Sequence, residues 1–222
     1  MAATYSSSAA GGGTSGTSNR TASITPAAGT TLVVFCMVSV NTNNAPTCSD
    51  NRGGTYDLIA VAQTNAGANR LSAFIRKAFC DNVSHTVTVA TGSNTAGEIV
   101  LIAVAGLEFL GSDAVRQSAV QDNGGRGTTP APAFSSSALT GNMTLGAVGN
   151  GTNPATLTTP GSWTERQDVG QSTPSTGLEV VTRDSGFTGT TVTWGSTSGS
   201  VYGAIIVELN GELAPFFGQA WM

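Results

Sequence analysis

Residues 31–41 read TLVVFCMVSVN, the longest unbroken run of β-branched and apolar residues in the first half of the chain. Val, Phe, Cys and Met occupy both parities of the run. Successive side chains of a strand point to opposite faces, so a strand that is apolar on both has to be covered on both. The run therefore predicts a central strand inside a layered β structure. Residues 98–109, EIVLIAVAGLEF, have the same two-sided character. Around these two strands the rest of the chain reads as further strands and turns, with no convincing helix.

The composition sets limits on function. Of 222 residues, 39% are hydrophobic, enough to build a core, but only 10% are charged, against roughly 25% in typical soluble domains. Gly, Ser, Thr and Ala replace the missing charge, and a surface of hydroxyls and amides does little to oppose self-association. The formal net charge of −4 lacks the basic footprint that nucleic-acid binding requires, so no nucleic-acid partner is expected. No apolar run approaches the roughly 20 residues of a membrane-spanning helix, so no membrane partner is expected either. The opening MAATYSSSAAGGG has no basic stretch followed by an apolar core, and no secretory leader is expected from it.

Taken in order, residues 1–18 are low-complexity Ala, Gly, Ser and Thr and read as an N-terminal arm. Residues 19–210 read as one β-sandwich domain, and residues 211–222 as an aromatic C-terminal tail. Within the domain, strands are expected at 20–25, 31–41, 55–64, 70–80, 84–90 and 98–109. After a polar crossover at 110–130 the pattern starts again, with strands at 134–139, 142–148, 162–170, 177–184, 190–194 and 201–210. The halves, 19–109 and 131–210, match. Gly54-Thr55-Tyr56 corresponds to Gly161-Ser162-Trp163, an offset of 107 (163 − 56) shared by Leu71 with Leu178 and by Arg76 with Arg183. After short changes in turn length, Val87 matches Val192 and Ile102-Ala103-Val104 matches Ile205-Ile206-Val207. The expected fold is all-β: an antiparallel two-sheet β-sandwich, jelly-roll-like, with internal pseudo-symmetry of two similar halves. Two tandem small sandwiches are the alternative, but each half has only about 90 residues, near the lower limit for an unaided β core.

The succession GGTYDLIA, NRLSAFIRKAF, HTVTVATG and EIVLIAVAGLE, then NMTLGAVGNG, TPGSWTER, TGLEVVTRDSG and VYGAIIVELNG, resembles a β-sandwich domain recurrent in bacteriophage virion proteins and in bacterial surface proteins. The resemblance covers residues 19–210 and rests on the order of strand motifs and on Tyr56 and Trp163, with no catalytic signature. It implies a non-enzymatic virion structural protein, a capsid decoration or cement subunit, with a tail or neck component as a close variant. The implied location is the virion, assembled in the host cytoplasm. The implied partners are the major capsid protein or other virion proteins, with the chain itself a homo-oligomer or bound to a lattice. A carbohydrate-binding or adhesion module is the alternative; Tyr56 and Trp163, at equivalent strand starts, suit core roles better, and Trp194 and Tyr202 are its remaining candidate rings.

Candidate chemistry is sparse. His85, the only histidine, shares parity with Val87 and Val89 and is expected to point inward as a hydrogen-bonded core residue; a catalytic base would also need a nucleophile and an orienting partner. The run Gly195-Ser196-Thr197-Ser198-Gly199 has Thr where a nucleophile elbow needs Ser. Asp50, Asn51 and Asp57 carry oxygens that suit Ca²⁺ but fit no EF-hand spacing, and they read first as turn residues. Glu108 and Glu208 read as solvated strand ends. Three cysteines, Cys36, Cys48 and Cys80, form no metal motif, and a Cys48–Cys80 bridge is the one conceivable pairing. No cofactor, metal or catalytic residue is expected. The residues assigned to partner binding are Tyr5 in the arm and Phe216, Phe217 and Trp221 in the tail, since aromatic anchors dominate interface energies.

Overall fold

A computed structural model describes residues 2–13, 19–39, 45–64, 69–92, 96–122, 129–150, 158–172, 175–195 and 202–211. Its strands are β1 (Thr4–Gly13), β2 (Asn19–Ile24), β3 (Thr31–Ser39), β4 (Thr47–Asp50), β5 (Tyr56–Thr64), β6 (Asn69–Arg76), β7 (His85–Ala90), β8 (Ala96–Ala105), β9 (Val115–Asp122), β10 (Met143–Asn150), β11 (Thr164–Ser172), β12 (Ser175–Arg183) and β13 (Tyr202–Leu209). The only helical element among the described residues is a 3₁₀ turn, Gly111–Ala114. All strand pairings are antiparallel. The fold is all-β, as the alternation of strands and turns requires.

Three sheets form. The first has the order β1-β8-β3-β6-β5, the second β11-β12-β10-β13-β9 and the third β2-β7-β4. The first and second pack face to face over Val33, Phe35, Leu71, Ile75, Val100 and Ile102 on one side and Leu145, Leu178, Val180, Ile205 and Val207 on the other. The outer face of the first sheet carries Leu32, Val34, Cys36, Phe74 and Leu101, and the third sheet covers it with Ala22, Ile24, Val87 and Val89. All nine residues of β3 are buried, which is the two-sided cover that TLVVFCMVS demands. The third sheet has one wet face, where Thr21 meets Thr88 at 3.1 Å and Ser23 meets Thr86 at 3.0 Å through their hydroxyls.

Among the described residues the second sheet has no strand layer outside it. Its outer face carries Val148, Val181, Ala204 and Ile206 beneath Phe134, Phe187, Val192 and Trp194. Two extended segments lie there and pair only through an isolated bridge, Ala133↔Thr191. Trp194 N–H donates to Pro130 O, Val192 N–H to Pro132 O and Phe134 N–H to Thr190 O. Pro130 and Pro132 have no N–H to return, so these contacts do not extend into a regular ladder. Residues 134–139 and 190–194 are thus not the regular strands that the sequence suggests.

The two five-stranded sheets have the same strand order once β1, β8, β3, β6 and β5 are replaced by β9, β13, β10, β12 and β11. Each comes from one half of the chain, so the chain does not alternate between facing sheets. The match extends to irregularities. The β5–β6 ladder slips between Leu58 and Ala60, and the β11–β12 ladder between Glu165 and Gln167, each 107 residues further on. Ladder register also moves one sequence match by two residues. Val33 and Leu145 take equivalent places on the central strands, and their β8 and β13 partners are Ile102 and Val207. Ile102 therefore corresponds to Val207 rather than Ile205.

Three strands lie where the sequence reading expects an arm, a loop and a crossover. β1 is an edge strand on β8. Its glycines admit close neighbours: a Cβ at Gly11 would strike the Thr21 carbonyl, and one at Gly12 the Glu98 carboxylate. A composition that reads as a linker here meets a packing requirement. β4 and β9 are short or polar edge strands with little apolar signal.

At equivalent places on the outer faces, Val34 and Val89 in the first half become Gly146 and Trp194 in the second. A Cβ at Gly146 would lie 2.6 Å from Trp194 Cη2. Gly146→Val is expected to destabilise the fold by about 1–3 kcal/mol through overpacking, and Trp194→Val by about 3 kcal/mol through the cavity it leaves. The double variant recreates the Val34–Val89 pairing and should lose at least ~1 kcal/mol less than the sum, read from urea unfolding midpoints.

Candidate functional site

The densest polar cluster gathers around Asp50, the last residue of β4. Its Oδ1 accepts the backbone N–H groups of Arg52 at 2.9 Å and Gly54 at 2.7 Å, closing the turn that follows. Its Oδ2 accepts Arg76 Nε at 2.8 Å and Tyr56 OH at 3.0 Å, and faces His85 Nδ1 at 3.4 Å. The other ring nitrogen of His85 lies 3.2 Å from Asp81 Oδ1. Burial alone would push the Asp50 carboxyl up, but Arg76 and the two backbone donors outweigh it and hold it at about 2. Arg76 also clamps the turn after β6 through Nη1, to Ala78 O at 2.9 Å and Phe79 O at 2.7 Å. Arg183 makes the equivalent clamp after β12, to Ser185 O and Gly186 O.

The chemistry of this cluster is that of a tied charge. Asp50 is surrounded by donors and has no lone pair facing a substrate, and His85 is fully buried, as its parity predicts. The calcium reading fails for the same reason. Asn51 Oδ1 accepts Thr86 N–H, and Asp57 turns away to Lys77 Nζ at 2.6 Å and Ser112 N–H at 2.9 Å. Among the described residues no three His, Cys, Asp or Glu side chains are placed to hold a metal ion.

Glu208 is a correction to the sequence reading. It is wholly buried rather than a solvated strand end. Its carboxylate accepts Arg116 Nη1 at 2.5 Å, Gln117 Nε2 at 2.6 Å, Asn142 Nδ2 at 2.7 Å and the Leu139 N–H at 2.8 Å. Burial raises its pKa, but the Leu139, Gln117, Asn142 and Arg116 donors outweigh that and keep it below the ordinary value. Glu108 lies exposed beyond β8, so the two glutamates do not form a matched pair.

A third acidic group was not legible in the sequence. Glu179 on β12 is 1% exposed, with Thr159 Oγ1 donating to Oε1 at 3.0 Å. It pairs across the ladder with Asp168, and Thr159 also reaches Glu165 at 3.2 Å. Burial pushes Glu179 up to about 7, with Thr159 and Trp194 working against it and the charges of Asp168 and Glu165 adding. Glu98 on β8 is likewise raised to about 7 by burial, opposed by Arg20. Only the parity of Glu179, shared with Val181, could have signalled its burial.

Of the four residues assigned to partner binding, Tyr5 is described and Phe216, Phe217 and Trp221 lie outside the described residues. Tyr5 sits half-buried in β1 under the Arg166 guanidinium, 3.7 Å from the ring centroid, with its OH 3.0 Å from Ser8 Oγ. The glycan candidates form no common aromatic face. Trp194 and Tyr202 are buried at 1% and 3% exposure. Tyr56 is tied to Asp50, and Trp163 packs edge-on against Phe187 at 5.4 Å. All three cysteines are free, and burial pushes the Cys36 thiol up to about 12.

These carboxyls set the pH profile. Glu98 and Glu179 bind protons more tightly when folded, so their contribution is complete below about 4.5 and is lost as pH rises through 7. Asp50 and Glu208 act in the opposite sense: their contribution is present above the unfolded carboxyl values and is lost as pH falls toward 2. Thermal melts should peak near pH 4.5–5 and decline toward pH 8. Glu179→Gln should raise Tm at pH 8, by roughly 2–4 °C for each kcal/mol recovered, and leave Tm at pH 4.5 nearly unchanged. Asp50→Ala, which strands Arg76 without its carboxylate, should cost about 3–5 kcal/mol.

No protein-family model and no curated protein matches this chain.

Proposed function

We propose that the chain is a non-enzymatic bacteriophage virion structural protein, a capsid decoration or cement subunit. The observation that carries this reading is the engagement of its best-tied buried charges. Asp50 and Glu208 close turns and join segments distant in sequence, and neither presents a group for catalysis. Around them lies a sandwich whose chain carries only 13 acidic and 9 basic residues in 222, a surface with weak electrostatic resistance to close assembly. The order of strand motifs adds the likeness to virion domains. Such a subunit acts mechanically: it bridges lattice proteins, and many weak contacts accumulate affinity across the particle. The proposed partners are the major capsid protein or other virion proteins, and the proposed location is the virion.

The N-terminal segment cannot be removed as a free arm, because β1 completes the first sheet. The C-terminal segment, residues 212–222, is the part to vary. Full-length protein should cosediment with purified phage heads, and a variant lacking residues 212–222 should bind at least tenfold more weakly. Monomeric behaviour in light scattering with no binding to heads or virions would overturn the reading. Retention on a glycan array would then favour the carbohydrate-binding alternative.

A further inference from the structure

The cover on the outer face of the second sheet is clipped on rather than woven in. Residues 129–134 and 187–195 lie over Val148, Val181, Ala204 and Ile206 and are joined to each other by the Trp194 N–H to Pro130 O, 2.9 Å, and the Val192 N–H to Pro132 O, 3.1 Å. Residues 158–160 extend this layer, since the Gly195 N–H donates to Thr158 O at 2.8 Å. Side chains of the sheet tie the layer down at three points. Gln121 Oε1 accepts the Ala131 N–H at 2.6 Å, and Tyr202 OH donates to Thr129 O at 3.0 Å. The third point is the Glu179 carboxyl, which meets Thr159 Oγ1 at 3.0 Å and the Trp194 indole. It is the only carboxyl of the three.

The closed arrangement suits the protonated acid. Glu179 is 1% exposed and stands directly opposite Asp168 on β11. Thr159 Oγ1 also lies 3.2 Å from Glu165 Oε2. A hydroxyl has one proton, so Thr159 can donate to only one of these two carboxylates. Once Glu179 is protonated, its own O–H donates to Thr159 Oγ1 and the Thr159 hydroxyl is left for Glu165. Ionised, Glu179 competes with Glu165 for that single donor while facing Asp168. The surrounding chain brings no countercharge: residues 127–164 and 185–207, which supply β10 and the whole cover, contain no charged residue. Arg166, the base on β11, is turned to Thr182 Oγ1 at 2.7 Å and over the Tyr5 ring, and Arg183 on β12 is held by Ser185 O and Gly186 O. Burial and the two neighbouring acids thus hold the Glu179 carboxyl at about 7 against the Thr159 and Trp194 donors.

We infer that Glu179 is the latch of a proton-gated cover: residues 158–160 and 190–195 lie closed while its carboxyl is protonated, and its ionisation favours an open form in which water reaches the carboxylate and Trp194 leaves the apolar face of Val148, Val181, Ala204 and Ile206. An open form returns the acid from about 7 to its ordinary 4.5, so well above neutrality linkage multiplies the opening equilibrium by up to roughly 300-fold, at tenfold per pH unit. The cover is the part free to respond, because its two segments pair only through the isolated Ala133↔Thr191 bridge, whereas the layer on the first sheet has a ladder of its own. The inference does not rest on the virion reading.

Backbone hydrogen exchange on the full chain tests it. The Trp194 and Gly195 amides report the cover, and amides of β3 and β10 report global unfolding. With intrinsic exchange rates divided out, protection at Trp194 and Gly195 should fall by up to roughly 300-fold between pH 5 and about 8.5, with its onset near 7, while β3 and β10 stay better protected throughout. Glu179→Gln should make cover protection independent of pH. Asp168→Asn, which removes the facing charge, should move the onset to lower pH and carries the test if the glutamine variant does not fold. Cover protection that keeps its pH dependence in Glu179→Gln, or an onset unmoved in Asp168→Asn, would overturn the inference. So would protection lost in step with β3 and β10 at every pH, since Glu179 would then act on the whole fold and not on the cover.

Discussion

A strand that is apolar on both faces has to be covered twice, and everything else in this structure follows from meeting that demand for two sheets at once. β3 and β10 are buried along their full lengths. Packing the first sheet on the second covers one face of each. The other two faces need their own layers, and the chain provides them differently. The first half folds β2, β4 and β7 into a sheet bonded through its own ladder. The second half lays residues 129–134 and 190–195 across the sheet and relies on ring burial by Phe134, Phe187 and Trp194. Removing Trp194 would open a face that no other large ring fully covers, whereas the first half distributes the same task over Val87, Val89 and Ile24.

The match in strand order and register between the two halves separates features that recur from features that vary. Edge bulges, the Arg76 and Arg183 turn clamps, and the Tyr56 and Trp163 positions recur at matching register. These govern how strands bend and how the chain leaves one strand for the next. Side-chain volume drifts, provided its partner compensates: Val34 with Val89 becomes Gly146 with Trp194. Charge drifts furthest. Asp50 secures Arg76 in the first half, but the shorter connection before Trp163 leaves Arg183 near Phe187, 5.9 Å from the ring centroid. Glu208 has Ala103 as its counterpart. The buried acids are thus local solutions for holding turns rather than parts of one inherited site.

The sequence makes the central strands, the repeat and the inward-facing histidine legible because each depends on parity or on a fixed offset. It obscures β1, β4 and β9, which are edge strands with only one face to bury, so their apolar signal is weak or, in β1, replaced by glycine. The Glu208 network is hidden because its donors come from Arg116, Gln117, Leu139 and Asn142, scattered over positions that only the β9–β13–β10 register brings together. Glu179 is hidden for the opposite reason: one acid among Leu178, Val180 and Val181 reads as a wet position until Thr159 is seen to lie over it. The two-residue correction at β13 preserves parity, which is why a motif match alone does not expose it.

The bulges interrupt the four edges of the two facing sheets of this weakly charged β protein. A straight exposed edge offers a row of unpaired N–H and C=O groups to any passing strand. Here each edge is bent at Ser6, Ile59, Arg116 or Arg166, and none stays regular along its full length. A partner approaching these edges finds side chains and notches instead of a continuous ladder. The Arg166 guanidinium and Ser8 close over Tyr5 at one of these edges, whereas at the edge of β5 Leu58 stays 43% exposed.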